Sequence, residues 1–286
     1  MRVKVLIPVY ADSLHPAEKA SLRQCLKVLG HYPIALVSHR GVNTQVYKEL
    51  FEEAGVPFAV THFDEHYFRS VFDYSRLLLH RSFYERFRDS DYLFIYQLDG
   101  FVFRDELEAW CDKGYDYIGA PWMLRYGYGY NGNTLWKVGN GGVSLRRTQA
   151  FLRVFDAPFP LRASWYFLKS IRLRELGPMV RRTLRMMVEV VLRKPTVEGI
   201  LDRYFDERVN EDCFWVEALA GTALSLHIPD VITGAHFCVE RKPRYVCTEI
   251  LHGQLPFCCH AFEKYEYDFW APHIEGAAPV DHTPKP

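Results

Sequence analysis

The sequence has no excess of charge of either sign. Its 35 Lys and Arg are balanced by 35 Asp and Glu, so no net field directs the whole chain toward nucleic acid or a membrane. It has no uncharged apolar run of about 18 residues, which excludes an ordinary membrane-spanning helix. It has no Cys-x-x-Cys pair, and its seven cysteines are odd in number and scattered. That is unlike a secreted disulfide framework and favours reduced thiols in a cytoplasm. The first βα turn, Pro8-Val9-Tyr10-Ala11-Asp12, has no glycines, so neither a Walker loop nor a dinucleotide fingerprint is present. The N-terminus lacks a long apolar core and a small-residue cleavage site, and reads as a first strand rather than a leader.

What is present belongs to a folded protein. Across 286 residues, 49% are apolar and 24% charged, which excludes disorder and a collagen-like fibre. The aromatic fraction of 15% is high. Flat rings suit sugar faces and equally fill cores.

The first 120 residues alternate two periodicities. Val3–Tyr10, Ile34–Ser38, Phe58–Thr61 and Tyr92–Leu98 read as buried strands. Pro16–Leu29, between a starting proline and Gly30, reads as a helix, as does Thr44–Ala54 before Gly55. Ser70–Phe87 carries helical spacing throughout. Such alternation predicts an α/β fold with a mostly parallel central sheet flanked by helices, whose ligand crevice opens at the C-terminal ends of the strands.

The second half carries the candidate chemistry. Asp99 follows the most apolar strand and can hold a divalent cation against a diphosphate; Asp-Gly is also a common turn pair. Gly119-Ala120-Pro121-Trp122 precedes an aromatic stretch with Tyr126, Tyr128, Tyr130 and Trp136. Gly139-Asn140-Gly141-Gly142 permits close backbone approach to a ligand, with Asn140 able to read hydroxyls. Asn210-Glu211-Asp212 opens a helix, where carboxylates serve as caps or as a general base. The cluster His236, Cys238, Cys247, His252, Cys258, Cys259 and His260 has the spacing of no standard zinc finger or ribbon, and His260 alone reads as a metal or phosphate ligand. Leu161–Pro195 holds nine basic residues against two acidic ones, a local charge of about +7. Trp165, Phe167, Met186, Met187, Val190 and Val191 give this segment an apolar side. It reads either as a basic helical insertion packed on the core or as a surface for an acceptor or an anionic membrane.

The order of these motifs resembles that of GT-A-fold glycosyltransferases. More narrowly, YQLDGFVF, YDYIGAPW, GNGGVSLR and NEDCFW resemble a bacterial family of sugar transferases first catalogued as a domain of unknown function. The resemblance covers about 1–155 and 205–270 and skips the basic segment. It implies a single catalytic domain over 1–276, with a nucleotide-binding half over about 1–120. An acceptor half over 121–276 carries the insertion at 161–200, and 277–286 is a tail. It implies that Pro8, Val9, Tyr10, Asp99, Gly141 and Gly142 meet the nucleotide-sugar donor. Trp122, Trp136 and Asn140 meet the acceptor, and Asp212, with Glu211 beside it, supplies the base of an inverting transfer. Asp99 and His260 would hold Mn²⁺ or Mg²⁺. The sequence departs from the Asp-x-Asp pattern, with Phe101 at the second acid, which puts metal dependence in question. The partners implied are a nucleotide-sugar and a glycan or lipid-linked acceptor, with peripheral contact to the inner membrane face through 161–195. Two competing classes are a non-catalytic carbohydrate- or nucleotide-binding protein on the same fold, and a metal-dependent nucleotidyl or phosphoryl transferase, which calls for more acids near Asp99.

Overall fold

The structure, a computed structural model, describes residues 2–124, 132–169, 176–204 and 210–274. Tyr126, Tyr128, Tyr130 and the 277–286 tail lie outside them. The chain begins with β1 (Val3–Pro8), α1 (Pro16–Leu29), β2 (Ile34–Ser38), α2 (Gln45–Ala54) and β3 (Phe58–His62). Gly55 ends α2 at φ 66°, a left-handed cap. Gly30 ends α1 at φ −64°, and glycine is needed there for a different reason: a Cβ would lie 2.2 Å from the Leu26 carbonyl oxygen.

The long helix expected over Ser70–Phe87 is two helices, α3 (Val71–Leu78) and α4 (Arg81–Arg86). Ser70 caps the first by accepting from the Asp73 N–H at 3.0 Å. His80, in extended backbone, caps the second through the Ser82 N–H. The break lets Leu77, Leu78, Phe83 and Phe87 all reach one core.

After them come β4 (Tyr92–Tyr96), β5 (Phe101–Val102), α5 (Leu107–Asp112), β6 (Tyr117–Gly119), β7 (Pro121–Met123), β8 (Leu135–Val138) and β9 (Val143–Arg147). The central sheet runs β3-β2-β1-β4-β9-β6. Five of its strands are parallel, and β9 lies antiparallel between β4 and β6. Neighbouring residues of β1 point to opposite faces. Leu6 enters a core built with α3 and α4, while Val5 and Ile7 enter one built with α1 and α2. Both faces are therefore covered, as a parallel sheet requires.

Beyond β9 lie α6 (Thr148–Asp156), α7 (Leu161–Lys169), α8 (Leu176–Arg193) and α9 (Val197–Tyr204). The described parts of the basic segment are helical, and the segment closes at its base: the Phe159 N–H donates to Pro195 O at 2.8 Å and the Val197 N–H to Ala157 O at 2.9 Å. Its apolar side divides differently from the sequence expectation. Phe167, Met186 and Val190 are core residues, whereas Trp165 and Val191 are exposed together with Leu184, Val188 and Leu192. The chain continues through α10 (Glu211–Cys213), a π turn over Phe214–Ala218, α11 (Val231–Phe237), β10 (Cys238–Val239) and β11 (Cys258–Cys259). None of the described helices is long and apolar enough to cross a membrane.

Candidate active site

A second, small sheet assembles the polar centre. Its order is β10-β11-β5. β10 and β11 are parallel, with Val239 opposite Cys259, and β5 is antiparallel, with Phe101 opposite Cys259. One residue further along each strand, Glu240, His260 and the Asp99-Gly100 turn meet at a single end of this sheet. Asp99 sits in a tight turn closed by the Gly100 N–H on Gln97 O at 2.9 Å. Its Oδ1 lies 3.2 Å from His260 Nε2, and Glu240 Oε1 lies 3.6 Å from His260 Nδ1. The Asn140 amide nitrogen is 3.0 Å from the same Nδ1.

The electrostatics follow from this placement. Burial opposes charge on His260, but Asp99 and Glu240 on either side outweigh it and push the imidazole up to about 10. Burial likewise opposes charge on Asp99 and Glu240, yet the imidazolium between them holds both carboxyls below their ordinary range. The sequence indicated Asp99 and His260 but missed Glu240. The signal available was a short apolar pair ending in a polar residue, Cys238-Val239-Glu240, mirrored by Cys258-Cys259-His260.

The glycine loop lies against this centre. Asn140 is buried at φ 67°, a conformation Asn tolerates better than most residues. Its side-chain oxygen accepts from the Gly142 N–H at 3.1 Å and its carbonyl from the Tyr117 hydroxyl at 2.9 Å. A Cβ on Gly142 would stand 2.3 Å from His260 Nε2 and 2.6 Å from Gln97 Oε1; one on Gly141 would stand 1.9 Å from Glu211 Oε1. Both glycines are thus required by close approach.

Glu211 and Asp212 differ in kind. Glu211 is buried in a bidentate pair with Arg146, at 2.7 and 3.1 Å. Arg146, itself fully buried, also donates to the Tyr84 hydroxyl, Ser144 Oγ and the Gly141 carbonyl. Burial raises Glu211 to about 7 against the pull of Arg146. With both oxygens occupied, Glu211 positions the glycine loop. To act as a base it would first have to release Arg146. Asp212 keeps one oxygen on the Cys213 N–H at 2.7 Å. Burial raises its carboxyl above the usual range, and Glu240 adds to this. The sequence gives Arg146 no role, because its partner Glu211 is 65 positions away.

On the other side of Asp99, a cavity of about 380 Å³ opens at the ends of β1 and β4. Pro8, Val9 and Tyr10 line it with Asp99, joined by Tyr74 and Arg69. Tyr10 is 63% exposed. The Val9 N–H donates to Val37 O and the Tyr47 hydroxyl to Ala11 O, which fixes the loop. Trp122 and Trp136 face each other on the β7-β8 hairpin with ring centroids 6.3 Å apart. The Trp122 ring packs flat on Gly139, whose Cβ would fall 2.2 Å from it, while Trp136 stays 44% exposed.

Whether these residues fit a divalent cation depends on what Asp99 and His260 can offer it. Asp99 Oδ1 and His260 Nε2 are buried, meet as an ion pair 3.2 Å apart, and have no further hydrogen-bond partner among the described residues. The missing Cβ of Gly142 leaves a cradle beside them and Gln97 Oε1. Among the described residues no group of three or more His, Cys, Asp or Glu is placed to hold an ion. Mg²⁺-type sites need only one or two protein ligands when phosphate oxygens complete the shell. Phe101, at the position of the missing second acid, is a buried β5 residue with its ring tilted against Phe103 and edge-on to Phe262. Asp99 fits a cation held jointly with a ligand, and His260 would join it only as the neutral ring, giving up the proton it shares with Asp99.

A family model described as "Protein of unknown function (DUF5672)" matches residues 57–260. No curated protein matches the chain. Among solved structures, the galactosyltransferase LgtC in complex with donor and acceptor sugar analogs matches with a TM-score of 0.51 at 10% identity, over 98% of this chain and 98% of that one. The apo glycosyltransferase GlyE of Streptococcus pneumoniae TIGR4 matches with a TM-score of 0.47 at 12% identity, and mouse xyloside xylosyltransferase 1, apo form, with 0.45 at 12%. These cover 96% and 91% of this chain; the chain spans 60% of GlyE and 96% of the mouse enzyme. The likeness to LgtC shows a GT-A-like fold.

Proposed function

The chain belongs to the DUF5672 family, and from its site we propose that it is a glycosyltransferase. It moves a sugar from a nucleoside-diphosphate sugar to a hydroxyl of a glycan or lipid-linked acceptor, with inversion. The observation that carries this is the buried pair of Asp99 Oδ1 and His260 Nε2, 3.2 Å apart, whose Asp99 also lines the 380 Å³ cavity. Residues 1–120 supply the donor half and 121–276 the acceptor half of one catalytic domain. Pro8, Val9 and Tyr10 receive the nucleoside, with the exposed Tyr10 ring as a stacking surface. Asp99 and His260 would hold Mn²⁺ or Mg²⁺, which when bound supplies charge neutralisation for the diphosphate. Arg69 lines the same cavity and offers a further positive group. The Gly141-Gly142 backbone bounds the donor sugar, and Asn140 holds His260 while Trp136 and Trp122 face the acceptor. Asp212 accepts the proton of the acceptor hydroxyl, whose oxygen attacks the anomeric carbon opposite the leaving diphosphate through an oxocarbenium-like state.

The buried Phe101, in place of a second acid, favours one alternative: a nucleotide-sugar-binding protein that turns nothing over. A thermal-shift screen of nucleoside diphosphates and their sugars, with and without Mn²⁺, tests the donor site. At least one nucleotide should raise Tm in wild type and fail to do so in Asp99→Asn. If no nucleotide shifts Tm, there is no donor site at Asp99. Gly142→Ala should fold but lose the shift, because its methyl group displaces His260 and Gln97. An unchanged shift would show that the cradle is not used.

A further inference from the structure

We propose that α8 docks the protein on an anionic lipid surface through a face the core does not use. This stands independently of the transfer reaction. One side of α8, carrying Thr183, Met186 and Val190, is buried in the protein. The other side carries Leu184, Val188, Val191 and Leu192, at i, i+4, i+7 and i+8, which is one helical stripe. They are 51%, 56%, 56% and 75% exposed. Exposed apolar residues are ordinary when scattered, but a contiguous stripe marks an interaction surface.

The charges beside the stripe identify the occupant. Arg181 and Arg185 share a surface groove with Val180, Leu184, Val188 and Leu192, and both are exposed. Arg193 and Lys194 follow at the helix end, also exposed. The one acidic residue in the described part of α8, Glu189, borders the same groove, but its carboxylate is engaged by the Tyr204 hydroxyl and the Arg203 guanidinium. The face is thus apolar and basic, and its single carboxylate is already paired. That is the composition of a helix lying in a lipid interface, with its arginines at headgroup level and its apolar stripe below. It also explains how a protein of zero net charge concentrates about +7 in one segment.

The test is co-sedimentation of the full chain with phosphatidylcholine vesicles, with and without phosphatidylglycerol, at low and high salt. Wild type should pellet with the anionic vesicles at low salt and be released by high salt. Val188→Glu should abolish binding, and Arg181→Glu/Arg185→Glu should weaken it at least ~10-fold, since each cation near an anionic surface is worth about fivefold. All these positions are exposed, so the variants should keep the wild-type Tm. Val188→Trp should strengthen binding, which separates docking from a folding effect. No pelleting of wild type at low salt would overturn the proposal. So would unchanged binding in Val188→Glu, or a self-associated wild type that Val188→Glu dissociates without any affinity for lipid.

Discussion

Asp212→Asn should lower kcat at least ~10²-fold while leaving donor affinity little changed, because it removes only the proton acceptor. The asparagine oxygen can still accept from the Cys213 N–H, so α10 should survive. The pH profile gives a second readout. The base works ionised, and burial raises the Asp212 carboxyl above the ordinary carboxylate range. Activity should therefore fall, as pH is lowered, at a pH above that range, and rise to a plateau on its alkaline side. The residual activity of Asp212→Asn should lack that acid limb. If Glu211→Gln were folded and dead while Asp212→Asn kept its activity, the base would be Glu211.

The second large effect is on stability. Arg146→Met leaves Glu211 buried without its partner, and breaking a buried ion pair from one side costs about 3–5 kcal/mol. Tyr84, Ser144 and the Gly141 carbonyl lose their donor as well. Glu211→Leu strands the guanidinium and should cost a similar amount. The double variant should be markedly less destabilised than the sum of the two, since no unpaired charge remains. Urea denaturation of the four proteins measures this. Single variants losing less than about 1 kcal/mol would contradict a pairing on which the glycine loop depends.

The sequence makes one class of feature readable and hides another. The strands of the first half are legible because burial on both faces leaves near-continuous apolar runs, as in Tyr92–Tyr96, and α1 because a proline opens it. β9 is hidden. It follows three glycines and contains Arg146, which looks like a surface residue until Glu211, 65 positions later, is brought against it. The break at Leu79-His80 is hidden because apolar spacing continues across it and only the cap by His80 ends the helix. At the site, Asp99 and His260 are legible by their order in the chain. Glu240 has only the faint signal of a short apolar pair before it, and the register of β10, β11 and β5 is what brings it to His260. Glu211 and Asp212 are adjacent in sequence and indistinguishable there. Burial and Arg146 separate them. The basic segment shows its charge at once, but which apolar residues face outward depends on the side of α8 that meets the core.

The most direct measurement is release of nucleoside diphosphate from a panel of nucleotide-sugars, with glycan and lipid-linked acceptors and Mn²⁺ or Mg²⁺, together with the anomeric configuration of the product. Glycosyl transfer predicts acceptor-dependent release from at least one donor, an inverted product, and loss of release in both Asp99→Asn and Asp212→Asn. A donor that raises Tm through Asp99 yet is never turned over would contradict it and leave a binding protein; a product of retained configuration would contradict the assignment of Asp212 as base in an inverting transfer.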